Sequence, residues 1–132
     1  MKSKIYPVIV FLFFIFLACP KKEIPYLSHM YGWLRRITAE SLGVNGVLLQ
    51  ISDLNPEQPD RFRIREITTQ TRDTRDGYFE MDSVCYGTSG YMSGDIVTIY
   101  CDSLKNPGWK TQWWNPSLKG EVDTIIIYII HH

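Results

Sequence analysis

The sequence predicts an all-β domain, a sandwich of about six or seven short strands behind an N-terminal export segment. Three observations carry that expectation. After residue 18 no segment shows sustained helical periodicity with caps. Runs rich in Val, Ile, Thr, Tyr and Trp alternate with turn signals such as Asn45-Gly46 and Asp76-Gly77. The chain then closes on Val122 to Ile130, a run dominated by isoleucine and most simply a strand buried on at least one face.

Met1 to Ala18 holds Lys2 and Lys4 but no acid, and Val8 to Ala18 is unbroken apolar sequence. That run is shorter than the 18 to 20 or so residues that span a bilayer, but it suits the core of a secretion signal. Phe16-Leu-Ala-Cys19 resembles the lipobox of bacterial lipoproteins, in which a small residue precedes a cysteine that is acylated and becomes the mature N-terminus. The resemblance implies a signal peptide over 1–18, lipidation at Cys19, a lipidated tether over 19–31 and the sandwich over 32–132. Two acyl chains hold a protein stably where one is marginal. The expected location is therefore the bacterial cell envelope, with the membrane as a partner through the N-terminal lipid.

Trp33 to Thr38 reads as the first strand, Asn45-Gly46 as a reversal, and Val47 to Ile51 as a second strand ended by Pro56 and Pro59. In Arg61 to Thr71, Phe62 and Ile64 share one face and Arg63 and Arg65 the other, and Ile67 breaks phase in a way that a bulge near Glu66 would explain. Arg72 to Gly77 reads as a reversal ending in Asp76-Gly77, followed by a strand from Tyr78 to Val84. Gly87 to Gly94 is a flexible connection, Ile96 to Tyr100 a strand, Lys105 to Lys119 an aromatic-rich loop, and Val122 to Ile130 the last strand.

Gly32 to Ile51, the Thr-rich strand with Asp76-Gly77-Tyr78-Phe79, and Gly94-Asp-Ile-Val-Thr-Ile-Tyr100 together resemble carboxypeptidase regulatory-like domains. That resemblance implies a transthyretin-like Greek-key sandwich and a non-enzymatic module, and it carries no catalytic residue over.

Composition narrows the function. The 132 residues hold 14 basic and 14 acidic side chains, so a nucleic-acid partner, which a strong positive field would attract, is not expected. Three cysteines leave an odd one in an exported chain; with Cys19 acylated, Cys85 and Cys101 are left to form a disulfide under oxidising conditions. Without a CxxC pair or a nearby His they lack zinc-site spacing.

His29 falls in the tether, and His131 and His132 at the chain end, none beside a GxSxG or HExxH motif. Asp73, Asp76 and Asp82, or Asp53, Asn55, Glu57 and Asp60, are oxygen ligands without a complete calcium loop. No metal or other cofactor is expected. Arg61, Arg63, Arg65, Arg72 and Arg75 read as a solvated strand face, because acids lie among them.

The sharpest signal is Pro107-Gly-Trp109-Lys-Thr-Gln-Trp113-Trp114-Asn-Pro116. Exposed, these rings form a candidate ligand-binding platform for carbohydrate; folded back, they cap the sandwich. The sequence thus points to a lipid-anchored, non-enzymatic module that binds an envelope protein, with glycan binding through Trp109, Trp113 and Trp114 as the alternative.

Overall fold

In the computed structural model the described residues are 23–92 and 96–132. Cys19, its apolar leader and residues 20–22 of the tether lie outside them. Ten strands follow in chain order: β1 (Pro25–Arg36), β2 (Ala39–Gly43), β3 (Leu48–Asn55), β4 (Gln58–Thr68), β5 (Gln70–Arg72), β6 (Arg75–Thr88), β7 (Tyr91–Met92), β8 (Thr98–Cys101), β9 (Gln112–Trp114) and β10 (Val122–Ile129). They build an all-β sandwich, as the alternation of β-rich runs and turns requires. One sheet has the order β10-β1-β6-β5, with β2 on β1 and β7 on β6; the other has the order β4-β3-β8-β9. The chain changes sheet after β2, β4, β7 and β9. The strands exceed the expected six or seven because the short β2, β5, β7 and β9 lie in segments that read as turns, strand ends or loops.

The core lies between the sheets. Met30 and Leu34 of β1, Leu49 and Ile51 of β3, Phe79 of β6, Ile99 of β8 and Ile129 of β10 are all buried in one cluster. Each alternates with an outward neighbour, the period-2 signature of strands. Burying such side chains contributes about 1.5 to 3 kcal/mol apiece before conformational entropy is counted. β10 runs parallel to β1, with Ile125 opposite Gly32 and Ile127 opposite Leu34, so the isoleucine run is half covered by the sandwich.

Four local expectations change. The sheet starts at Pro25, seven residues before Gly32, so the segment expected as tether supplies half of β1 and places His29 within it. The prolines do not end the ladder: Pro56 sits in the turn between β3 and β4, and Pro59 is in β4, an edge strand where a missing N–H costs little. No bulge occurs at Glu66, because β3 and β4 stay in register from Leu48–Thr68 to Leu54–Phe62. Finally, the turn before β6 is Asp73–Thr74, both at positive φ, rather than Asp76-Gly77. Gly77, at φ 85°, is needed for closeness: a Cβ there would sit 2.2 Å from the Leu34 carbonyl oxygen.

Candidate functional site

The strand that organises the candidate site is β4, whose two faces are reversed relative to ordinary burial. Leu49, Ile51 and Asp53 of β3 share the inward phase, so Asp53 is driven between the sheets, where it is 0 % exposed. An isolated carboxylate there would be very costly. β4 supplies the compensation: Arg63 donates from Nε to Asp53 Oδ1 at 2.9 Å and from an Nη to Oδ2 at 2.9 Å, and Arg65 donates to Oδ2 at 3.2 Å. The Cys85 backbone N–H adds a fourth donor at 2.8 Å.

The opposite sheet completes the arrangement. At Ser83 β6 turns to a φ of 54°, and the Asp82 and Ser83 carbonyls accept from Arg65 at 2.9 Å and Arg63 at 2.6 Å respectively. The hydrogen bond to Asp53 raises the Arg63 pKa, and burial lowers that of Arg65; both stay protonated. Of the five arginines expected on a solvated face, Arg63 and Arg65 are therefore partly buried and bridge the two sheets, whereas Arg61, Arg72 and Arg75 are exposed.

This inward turn of Arg63 and Arg65 forces Phe62 and Ile64 outward, because successive strand residues alternate. They are 60 % and 67 % exposed. The register extends their face across the sheet: Ser52 stands opposite Ile64 and Thr98, Gln50 opposite Glu66 and Tyr100, and Tyr100 opposite Trp113. Trp113 is 65 % exposed. The outer face of the four-stranded sheet thus carries Phe62, Ile64, Tyr100 and Trp113 around the neutral polar side chains of Gln50, Ser52 and Thr98. Its charged pair, Lys105 with Glu66 at 3.1 Å, lies among them. An apolar set on one open sheet face is the kind of surface that monomers seldom leave uncovered.

The three tryptophans part company. Trp114, opposite Ile99, packs against the core, and so does Trp109. Trp109 also meets His131 edge-on, with ring centres 5.0 Å apart, and has the Arg36 guanidinium 5.8 Å from its ring centre. Capping describes Trp109 and Trp114; exposure describes Trp113 alone. His131 is held against Trp109, and the loop around Trp109 is tied to the chain end by Lys110 N–H donating to the Ile130 carbonyl.

Cys85 and Cys101 do not form the expected disulfide. Both are free and buried. Cys85 is on β6 and adjoins Asp53, whereas Cys101 is on β8 and stands opposite Leu49. Asp53 and Leu49 are four residues apart along β3, about 13 Å at strand rise, so the two thiols sit at different levels of different sheets. Burial raises the pKa of both, which keeps them unreactive.

Three of the acids that suggested calcium are engaged elsewhere: Asp53 by the arginines, Asp76 by Thr71 and Asn45, and Asp82 by His29. Among the described residues no three His, Cys, Asp or Glu side chains are placed to hold a metal.

On the other sheet, β1 and β6 present His29, Trp33, Tyr78 and Glu80 outward. His29 bonds Glu80 at 3.1 Å and Asp82 at 3.3 Å, and Trp33 and Tyr78 lie 5.0 Å apart. The bond to Asp82 raises the His29 pKa; the hydrogen bond from Tyr78 lowers that of Glu80, and the one from His29 lowers that of Asp82. Sequence reading missed both faces. The available signal was Asp53: carrying the Leu49–Ile51 phase two residues further puts a carboxylate inside, and it then requires the arginines of the neighbouring strand to follow.

Comparison with protein-family models, curated proteins and solved structures finds no match for this chain.

Proposed function

We propose that the protein is a non-enzymatic, lipid-anchored envelope module that holds a protein partner on the outer face of its four-stranded sheet. The observation that carries this reading is the exposure of Phe62 and Ile64 on the edge strand β4 and of Trp113 on the opposite edge strand β9, all on one face, with Tyr100 beside Trp113 in the cross-strand row that ends at Gln50 and Glu66. Large apolar and aromatic side chains around a neutral polar centre match the composition of interface cores, where Trp and Tyr supply most of the binding energy.

Anchoring at Cys19 suits this geometry. Five residues separate Cys19 from Pro25, so a tether at full extension reaches about 18 Å. β1 would then run away from the bilayer and leave both sheet faces turned sideways to partners. The end beside the tether is acidic, with Glu23, Glu57 and Asp60 around one cleft.

The test uses the full chain expressed in a bacterial host. Wild type should incorporate labelled fatty acid and Cys19→Ser should not, whereas unchanged labelling of the variant removes the anchor. Phe62→Ser with Ile64→Ser should keep the fold and lose the protein that co-purifies with wild type. Retention of the same partner removes the docking face.

A second reading rests on Trp113 beside Tyr100, with Gln50 next in the row: a ring platform with amide donors suits carbohydrate. Phe62 and Ile64 contribute nothing to such a ligand, which is why the protein partner is preferred. Glycan-array binding abolished by Trp113→Ala but untouched by Phe62→Ser would reverse that preference.

A further inference from the structure

We propose that the six-stranded sheet carries an anion-binding site at the end away from the tether, in which Arg35 and Arg75 hold a carboxylate or phosphate-ester group beside Trp33. This site is on the opposite sheet from the docking face and stands or falls separately from it.

β1 sets Trp33 and Arg35 two residues apart, hence on one face. Arg75 arrives from the hairpin between β5 and β6. Together with Leu42, Thr74 and Asp76 they line a cleft of about 430 Å³, within the range of small-molecule sites. The hairpin is built against local preference. Its two turn residues, Asp73 and Thr74, have φ of 50° and 64°, a geometry that ordinarily takes Asn-Gly and that a β-branched residue disfavours. Arg72 and Arg75 stand directly opposite each other across it, and like charges so placed repel. The chain keeps both costs at one turn, and such concentrations mark functional positions.

What the hairpin achieves is to bring two guanidiniums over two aromatic rings. Arg72 lies 4.6 Å from the Tyr78 ring centre, and Arg75 lies 4.1 Å from that of Trp33. Their situations then differ. Arg72 is engaged by Glu80 at 3.3 Å and by the Tyr78 hydroxyl. Among the described residues, neither Arg75 nor Arg35 reaches a carboxylate. Asp76, the one acid among the described residues lining the cleft, has its Oδ1 accepting from Thr71 at 2.6 Å and Asn45 at 3.1 Å. A guanidinium held over an aromatic face keeps N–H groups along its rim, the arrangement that grips oxyanions through paired, charge-assisted hydrogen bonds. Two further cations, Arg36 and Lys110, lie at the same end of the molecule.

The test is an NMR titration of the full-length protein in neutral detergent, following the arginine Nε–H and tryptophan indole N–H signals. Glucuronate supplies the carboxylate, glucose 6-phosphate the phosphate ester, and glucose the uncharged control. One or both anions should produce saturable shifts at Arg35, Arg75 and Trp33, and glucose none; whichever anion acts assigns the group. Arg75→Gln and, separately, Arg35→Gln should weaken binding about ten-fold, the loss of one charge-assisted contact. Arg72→Gln should leave it within about two-fold, since that guanidinium is already occupied. The second single variant keeps the test alive if the first disturbs the hairpin. No saturable shift with either anion, an equal response to glucose, or full affinity in both Arg35 and Arg75 variants would overturn the site.

Discussion

Strands β1 and β4 share a period of two and treat it in opposite ways. β1 buries Met30 and Leu34 and turns His29, Tyr31 and Trp33 outward, where charged neighbours partner the histidine and one tryptophan face. β4 turns Arg63 and Arg65 inward and leaves Phe62 and Ile64 outside. Alternation therefore reports that a strand has two faces without saying which is covered. The decision for β4 is made on its neighbour, where Asp53 is locked into the phase of Leu49 and Ile51. Among the described residues nothing covers Phe62 and Ile64, left in solvent as the by-product of a buried ion cluster, which is why we assign their face to a partner.

The largest expected effect comes from removing the charge that inverts β4. Asp53→Ala leaves two guanidiniums half-buried with only carbonyls to face, and should cost about 3 to 5 kcal/mol in urea unfolding. Replacing Asp53, Arg63 and Arg65 together by Leu, Met and Met should recover much of that loss, because apolar packing replaces buried ion clusters well. Should the single change cost under about 1 kcal/mol, within the range of surface substitutions, the ion cluster does not hold β4 in place.

On β1 the ordinary rule applies. Leu34→Ala should destabilise by about 2 to 4 kcal/mol through lost burial and a residual cavity.

A smaller effect separates the tryptophans by the same criterion of inside against outside. Trp114→Ala should cost about 2 kcal/mol or more, since the ring packs on the core. Trp113→Ala should stay within about 0.5 kcal/mol. Equal losses would show that Trp113 is packed too, and would remove it from the docking face.

The smallest effect is electrostatic and belongs to the outer face of β1. Bonds to Asp82 and Glu80 raise the His29 pKa above its ordinary value of 6.5. A raised folded-state pKa means that the folded protein binds the proton more tightly, so this contribution is complete below the unfolded pKa and is lost as pH climbs through the folded one. His29 is more than a third exposed, and solvent screening holds the effect under about 0.5 kcal/mol. Urea unfolding from pH 6 upward should show a shallow fall that His29→Gln flattens; an unchanged slope in the variant would assign the pH dependence to other groups.

Much of the fold was legible because burial and period agree in β1, β3, β6 and β8, where Leu34, Ile51, Phe79 and Ile99 are the inward residues. The errors arose where a long-range contact overrode local chemistry. Pro59 stayed in a strand because β4 is an edge, which no local signal reveals. Cys85 and Cys101 stand on different sheets, a fact of topology rather than spacing. His29 became a strand residue because its partners Glu80 and Asp82 are some fifty residues away. The outer-face site was hidden for the same reason, since its key is a contact between Asp53 and Arg63.

The most direct test of the docking face is photo-crosslinking in intact cells, with a photoreactive amino acid placed in turn at Ile64, Trp113 and Thr124, the last on the outer face of β10. The account predicts one and the same protein adduct from positions 64 and 113 and none from 124. Adducts from 124 alone, or no adduct from either 64 or 113 while the protein is folded, would contradict it.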